Sequence, residues 1–232
     1  MLAPLIIAAG FAFAGSNEEA DAAATEVEES TEVEEAPAGP VSYGLSTRDS
    51  WLYVVVFADP DRWTPITAHD HAVRATDFSG SVTWDESDAA ACAIDISFPV
   101  TTLAVDPPGM RARAGLDADG AVDDGTKPTI IGNMLGKKNL DGSNHPKISF
   151  SARSCDGTSG TVNVTGNLSI RGVSKQITVP MEVAADADGF KAKGTFQLKH
   201  ADFEMSPFTY GPGTPKNLEK LVFVVDVVGS PK

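Results

Sequence analysis

Residues 160–200 read GTVNVTGNLSIRGVSKQITVPMEVAADADGFKAKGTFQLKH, and their period decides the fold. Val162, Val164, Gly166, Leu168 and Ile170 alternate with Asn163, Thr165, Asn167 and Ser169. Ile177, Val179, Met181 and Val183 continue the pattern. Phe190, Ala192, Gly194, Phe196 and Leu198 then oppose Lys191, Lys193, Thr195, Gln197 and Lys199. Successive side chains on a strand point to opposite faces, so a period of two with one apolar and one polar set describes half-buried antiparallel strands. Gly172 and the Asp186–Gly189 stretch supply the turns between them.

The same period extends outward along the chain. Cys92, Ile94, Ile96, Phe98 and Val100 alternate with Asp95 and Ser97, and the whole pattern predicts eight strands at 51–58, 69–84, 89–100, 147–155, 160–170, 176–185, 189–200 and 220–229. In the second, His69, His71, Val73 and Ala75 hold odd positions while Phe78, Gly80, Val82 and Trp84 hold even ones. A bulge near Thr76-Asp77 restores the phase. Eight such strands with short hairpins favour an all-β fold: a closed up-and-down antiparallel barrel whose interior can hold one ligand, with a β-sandwich as the structural alternative. Small inward residues, Gly166, Ala192 and Gly194, are consistent with a void.

One connection breaks the pattern. Residues 101–146 are too long for a hairpin loop and are expected to carry structure of their own. Ile130, Ile131, Met134 and Leu135 fall at helical intervals, with Thr126 placed as N-cap and Pro128 in the first turn. This predicts a short amphipathic helix within Thr126–Leu140 that covers the open end of the barrel.

The chain has 232 residues and a formal net charge of -14. Residues 17–40 hold nine of the 32 acidic residues and no Lys or Arg, which leaves 23 acidic against 18 basic residues elsewhere. With no basic cluster the chain offers no counterion-releasing surface, which argues against nucleic acid as partner. The acidic segment has no aromatic residue and reads as a disordered, self-repelling spacer. Leu2–Ala14 is too short to span a bilayer but has the length of a signal-peptide core, with Ala12-Phe13-Ala14 before a cleavage point. Residues 1–16 are thus expected to be a signal peptide, although the usual N-terminal Lys or Arg is missing, and the folded domain runs over 41–232. That makes the protein periplasmic or otherwise extracytoplasmic. The alternative is a frayed apolar terminus on a cytosolic protein.

Strand direction gathers the histidines. In an up-and-down barrel the starts of even strands and the ends of odd strands share one rim, so His69, His71, His145 and His200 all belong to one mouth, the one the 101–146 segment covers. Three readings stay open: a metal site built from His69, His71 and His200, anchoring of a ligand head group, and rim histidines satisfied by backbone, water or Asp70. No nucleophile elbow, zinc-protease motif, phosphate loop or dinucleotide fingerprint is present, so the chain is not expected to be an enzyme. Phe203, Met205, Phe208 and Tyr210, in a Pro/Gly-rich stretch at the histidine end, form a candidate apolar gate or pack on the 126–140 helix. Cys92 opens the third strand and Cys155 closes the fourth; they lie close if those strands pair, and an oxidising compartment favours a disulfide. Parity objects, because Cys155 alternates with Phe150 and Ala152, and a bulge or strand end is needed to reconcile it.

The segments His145-Pro146-Lys147-Ile148-Ser149-Phe150, Gly166-Asn167-Leu168-Ser169-Ile170-Arg171-Gly172-Val173-Ser174-Lys175 and Val179-Pro180 resemble the central pattern of the bacterial YceI-like family. Phe78-Ser79-Gly80 and Ala201-Asp202-Phe203 also fit, and the likeness covers about residues 50–230. Where the family has Gly after the Asp-Phe pair, this chain has Glu204. The resemblance implies a lipocalin-like barrel, and an exported protein that binds a polyisoprenoid, an isoprenoid quinone or a fatty-acid-like amphiphile in an elongated tunnel. No cofactor is implied beyond that non-covalent lipid. On this reading Phe98, Phe150, Leu168 and Phe196 line the tail site from the strands. Ile130, Met134 and Leu135 close it from the helix and Phe203 and Phe208 from the gate, while His69, His71 and His200 meet the head group. The rival expectation is a solidly packed metal-binding or structural envelope protein. A homodimer is compatible with either.

Overall fold

The computed structural model describes residues 39–61, 68–157, 160–211 and 216–232. The predicted leader at 1–16 and all but the end of the acidic segment at 17–40 lie outside the described residues.

Among the described residues eleven strands build one sheet: β1 (Val41–Leu45), β2 (Trp51–Ala58), β3 (His71–Ala75), β4 (Ser79–Trp84), β5 (Ala93–Pro99), β6 (Leu103–Val105), β7 (Lys147–Gly157), β8 (Gly160–Ile170), β9 (Val173–Ala185), β10 (Phe190–Lys199) and β11 (Asn217–Pro231). They amount to eight staves, because three staves are broken once. Both β1 and β2 pair antiparallel with β11, from Tyr43↔Pro231 down to Asn217↔Ala58, so they are one interrupted stave. In the second stave β3 pairs with β2 and β4 with β1. Where the sequence predicts a bulge in one continuous strand, the strand is instead broken at Thr76-Asp77-Phe78, which shifts the inward register from odd to even positions. In the third, β6 pairs with β3 and β5 with β4, interrupted by a 3-10 turn at Val100–Thr102. Each stave pairs with the next and the last with the first, so the sheet closes as an eight-stave antiparallel barrel. The fold is the predicted one and the sandwich is excluded.

Local chemistry explains the joints. Ile170 pairs with Val173, which leaves Arg171-Gly172 as a two-residue hairpin loop with φ of 52° and 75°. A positive φ at both centres is what a type I′ turn demands, and Gly is the residue that meets it without steric cost. Between β7 and β8 the register slips at Arg153, so that Ala152 faces Gly166 but Ser154 faces Thr165. That bulge resolves the parity conflict. It turns Cys155 inward, where it forms a disulfide with Cys92, with Cα atoms 5.9 Å apart.

One end of the barrel is a floor. Tyr43 is buried there, its ring 5.5 Å from that of Phe190 and its hydroxyl donating to the Asp186 carbonyl. Trp84, Val162 and the disulfide complete it. Sequence reading started the first strand at Trp51 and so missed β1 and Tyr43, although Val41, Tyr43 and Leu45 carry the same two-residue period.

The long connection does more than cover the mouth. Its first part wraps the outside of the barrel, where helix α1 (Met110–Arg113) packs against β3 and Met110 is 0% exposed. Beside it, Trp51 lies between two guanidinium groups, with Arg74 at 3.8 Å and Arg113 at 4.1 Å from its ring centre. The second part contains helix α2 (Lys127–Leu135), shorter than the span predicted, with Pro128 in its first turn as expected. Thr126 stands at the N-cap position but does not cap; its hydroxyl donates to Asp123 instead. No residue of α2 is buried, which fits a cover resting on an opening better than a helix sunk in a core.

Candidate ligand-binding site

The barrel is hollow. A cavity of about 670 Å³ runs from the floor to the mouth, within the usual range for small-molecule sites. Its walls are the inward registers of the staves. Val82, Ile94, Ile148, Val164, Val179, Val183 and Val227 line its depth, with Trp84 and Phe190 above the floor. Of the residues expected from sequence, Phe98, Phe150, Leu168 and Phe196 line this wall. Ile130 and Met134 line it from α2, and Phe208, with Met205 and Tyr210, from the segment after β10. The amide of Ser206 donates to the Lys138 carbonyl, so this segment is tied to the chain that follows α2.

Two expected residues do not reach the void. Phe203 is 0% exposed inside the packed core, where the 3-10 turn His200–Phe203 carries it. Leu135 belongs to the packed margin of the core, with its side chain beside Gly142. The reasoning from small residues also needs correction. A Cβ on Gly166 would stand 2.6 Å from the Phe150 ring, and one on Gly194 2.3 Å from the Met181 sulfur. These glycines are filled by neighbours, so the hollow comes from barrel geometry and not from missing side chains.

Polar groups collect at the mouth. His69, His71 and His200 line the cavity there. His145 sits at the same end but packs on the Gly172 turn and does not face the void. His71 is buried, and its Nδ1 lies 2.8 Å from Oδ2 of Asp106, a carboxylate the sequence reading did not single out. Asp106 continues the β3–β6 pairing: its amide donates to the Ala72 carbonyl and its Oδ1 accepts from the Ala72 amide at 2.8 Å. Arg111 approaches Oδ2 at 3.4 Å and donates to the Asp70 carbonyl. Burial alone would raise the Asp106 pKa. The hydrogen bonds from His71 and the Ala72 amide, with the charges of His71 and Arg111, hold it below the usual carboxylate range instead. An ionised Asp106 fixes the proton of His71 on Nδ1. His200 donates through Nδ1 to the Glu219 carbonyl at 3.1 Å, and burial lowers its pKa, so it is neutral near pH 7 with its proton on Nδ1. Among the described residues no group of three or more His, Cys, Asp or Glu side chains is placed to hold a metal ion. The trio His69, His71 and His200 does not converge as the metal alternative requires.

Glu204 sits at the end of the turn after β10. That residue adopts the left-handed conformation at φ 53°, which glycine meets more cheaply, and its carbonyl accepts a hydrogen bond from Arg171. Arg171 also donates to the Lys137 carbonyl, tying the β8–β9 hairpin to the chain beside the cover.

A closed antiparallel barrel with an apolar interior, polar groups at one rim and a helical cover defines a lipocalin-like class of protein. The YceI-like domain family matches residues 58–226, and the chain belongs to that family. Among solved structures, Burkholderia cenocepacia BcnA superposes with a TM-score of 0.59 at 18% identity, covering 79% of this chain and 98% of that one. A Campylobacter jejuni YceI protein gives a TM-score of 0.51 at 16% identity, over 73% of this chain and 89% of that one. At such identities these two structures speak for the fold alone. No curated protein matches the chain.

Proposed function

We propose that this protein is an exported lipid carrier that holds a polyisoprenoid, an isoprenoid quinone or a similar long-chain amphiphile in its barrel. One observation carries the reading: a void of about 670 Å³ whose deep walls are apolar and whose polar groups lie at the mouth. If a methylene takes about the liquid volume of a water, roughly 30 Å³, the void has room for about 20 such groups. At about 0.8 kcal/mol per buried methylene, a chain of that length gains on the order of 15 kcal/mol before several kcal/mol are lost to restricted motion. Tail burial is non-directional and selects by length, so recognition of the head falls to His69, His71 and His200.

The Cys92–Cys155 disulfide supports an oxidising compartment, and no helix among the described residues is long and apolar enough to cross a membrane. Binding is favoured over catalysis. Among the described residues no hydroxyl or thiol hydrogen-bonds to His69, His71 or His200, so the nucleophile–base contact of covalent catalysis is not built. Native mass spectrometry and solvent extraction of the purified protein test the proposal. One lipid per chain is expected; a protein that carries none and takes none from a mixed lipid extract refutes it.

A further inference from the structure

The barrel wall is not uniformly closed. The β8–β9 ladder holds eleven pairs, from Gly160↔Val183 to Ile170↔Val173, and the β10–β11 ladder ten, from Phe190↔Gly229 to Lys199↔Lys220. Between them β9 and β10 share only four pairs, ending at Lys193↔Glu182. Above that point each strand stays regular on its far side, yet Val173–Met181 and Gly194–Lys199 form no ladder with each other.

The split has a structural apex and an upper tie. At the apex Gly194 stands next to the last pair, and the Met181 thioether occupies the space a side chain there would need. At the top Lys175 of β9 forms an ion pair with Asp202, just after β10. From Met181 to Lys175 is about six residues, or roughly 20 Å of strand. On the inward face of β10, Phe190 and Ala192 below the split are buried and Phe196 and Leu198 beside it are half-buried, while Ile177 and Val179 facing the split from β9 stay buried. Outside the apex lies a groove of about 680 Å³, lined by Pro180, Met181, Gly194 and Thr195 together with the last ladder pair, Glu182 and Lys193, and by Val225. Met181 and Val225 line the interior cavity as well.

We infer that this slot between β9 and β10 is the route by which the apolar chain of the ligand enters and leaves the barrel sideways, with the helix-covered mouth left in place. This rests on the carrier reading above. A chain passing lengthwise through the slot slides between Ile177, Val179 and Phe196 without breaking a ladder hydrogen bond. Passage through the mouth would require α2 and the 203–210 segment to lift away from the chain they are bonded to. A methylene chain or an isoprenoid tail suits the slot because the inward residues on its two sides, Ile177, Val179 and Phe196, are apolar.

Cross-linking separates the routes. Extending the β9–β10 register places Thr178 opposite Gln197, both exposed and outward. A short bis-maleimide on Thr178→Cys/Gln197→Cys bars the slot. The same reagent on Thr165→Cys/Thr178→Cys spans an intact ladder, and on Lys138→Cys/Ser206→Cys it ties the segments over the mouth. Each variant, with its native disulfide intact, is loaded with retinol, a fluorescent isoprenoid alcohol, and transfer to phosphatidylcholine vesicles is followed. The slot cross-link is expected to slow transfer at least tenfold, with equilibrium binding within twofold, while the other two leave the rate unchanged. Equal rates with the slot barred, or slowing by the mouth cross-link alone, overturn the slot and leave the carrier reading standing. Failure of the unmodified protein to take up retinol or a fluorescent fatty acid removes both.

Discussion

Replacing Asp106 by Asn probes the one buried carboxylate that organises the mouth. Its side chain is 2% exposed, and its two oxygens receive the Ala72 amide at 2.8 Å, His71 Nδ1 at 2.8 Å and Arg111 at 3.4 Å. Asn keeps the shape and tolerates the left-handed backbone that Asp106 adopts at φ 43°. It also keeps the Ala72 bond. Its amide then presents a donor to His71 and Arg111, and the Arg111 charge loses its carboxylate. Breaking a buried pair costs about 3–5 kcal/mol. The retained bond and the carbonyl oxygens that Arg111 still reaches reduce this to about 2–3 kcal/mol. For a domain of this size that is a fall in Tm of roughly 5–10 °C. The pH dependence gives the sharper test. A carboxylate whose folded pKa lies below its unfolded value of 3.8 adds stability that is present above that value and lost as pH falls through the folded pKa. The gap between wild type and Asp106→Asn should therefore hold from pH 7 to about pH 4 and shrink below it. Urea denaturation across that range measures it. A gap below about 0.5 kcal/mol at pH 7, or one that fails to narrow in acid, refutes the charged network.

Two further outcomes separate the parts of the fold. Met110→Ala, on the outside of the barrel, should destabilise by about 2–5 kcal/mol by leaving a cavity under the wrapped segment, yet leave lipid stoichiometry unchanged by native mass spectrometry. Changing Cys92 and Cys155 together to Ser opens a loop closed over 63 residues and should cost about 4 kcal/mol on the chain-entropy account, measured by calorimetry against the oxidised protein.

The strands were legible because a closed barrel with one wet face imposes the same two-residue period on every stave. Even the irregular second stave announced its break through the shift from odd to even positions at Thr76-Asp77. Cys155 shows the limit. Its pairing with Cys92 depends on a bulge at Arg153 that no change of apolar parity marks, because the residues between Ala152 and Val162 are mostly polar. The rim histidines followed from strand direction alone, whereas their partner Asp106 did not. It sits in a segment with no period, and only the β3–β6 pairing brings it to His71. Leu135 and Phe203 were misplaced for a related reason. Helical spacing and position near the mouth tell which residues are apolar, but not which of two apolar neighbours faces the void and which faces the wall. Met110, buried outside the barrel, carried no signal for the side of the sheet it covers.

A hollow centre asks where the stability comes from, and the structure answers by distributing it around the void. The staves are joined in a ring, and even β9 and β10 keep four ladder pairs, so the sheet has no edge on which to open end to end. The floor is packed with Tyr43, Phe190, Trp84 and a disulfide, and the outer wall of β2 and β3 is held by Met110 and the Trp51 stack. Tyr43, the disulfide, Met110 and the Trp51 stack do not line the cavity, so their contacts do not depend on what fills it. The apolar lining can therefore stay uncommitted, and a guest adds its own burial to a barrel that already stands. A ligand at a hundred times its Kd contributes a further 2.7 kcal/mol or so of apparent stability. On the proposed carrier reading, the energy of binding is then available for holding the lipid, because little of it has to be spent on folding the protein around it.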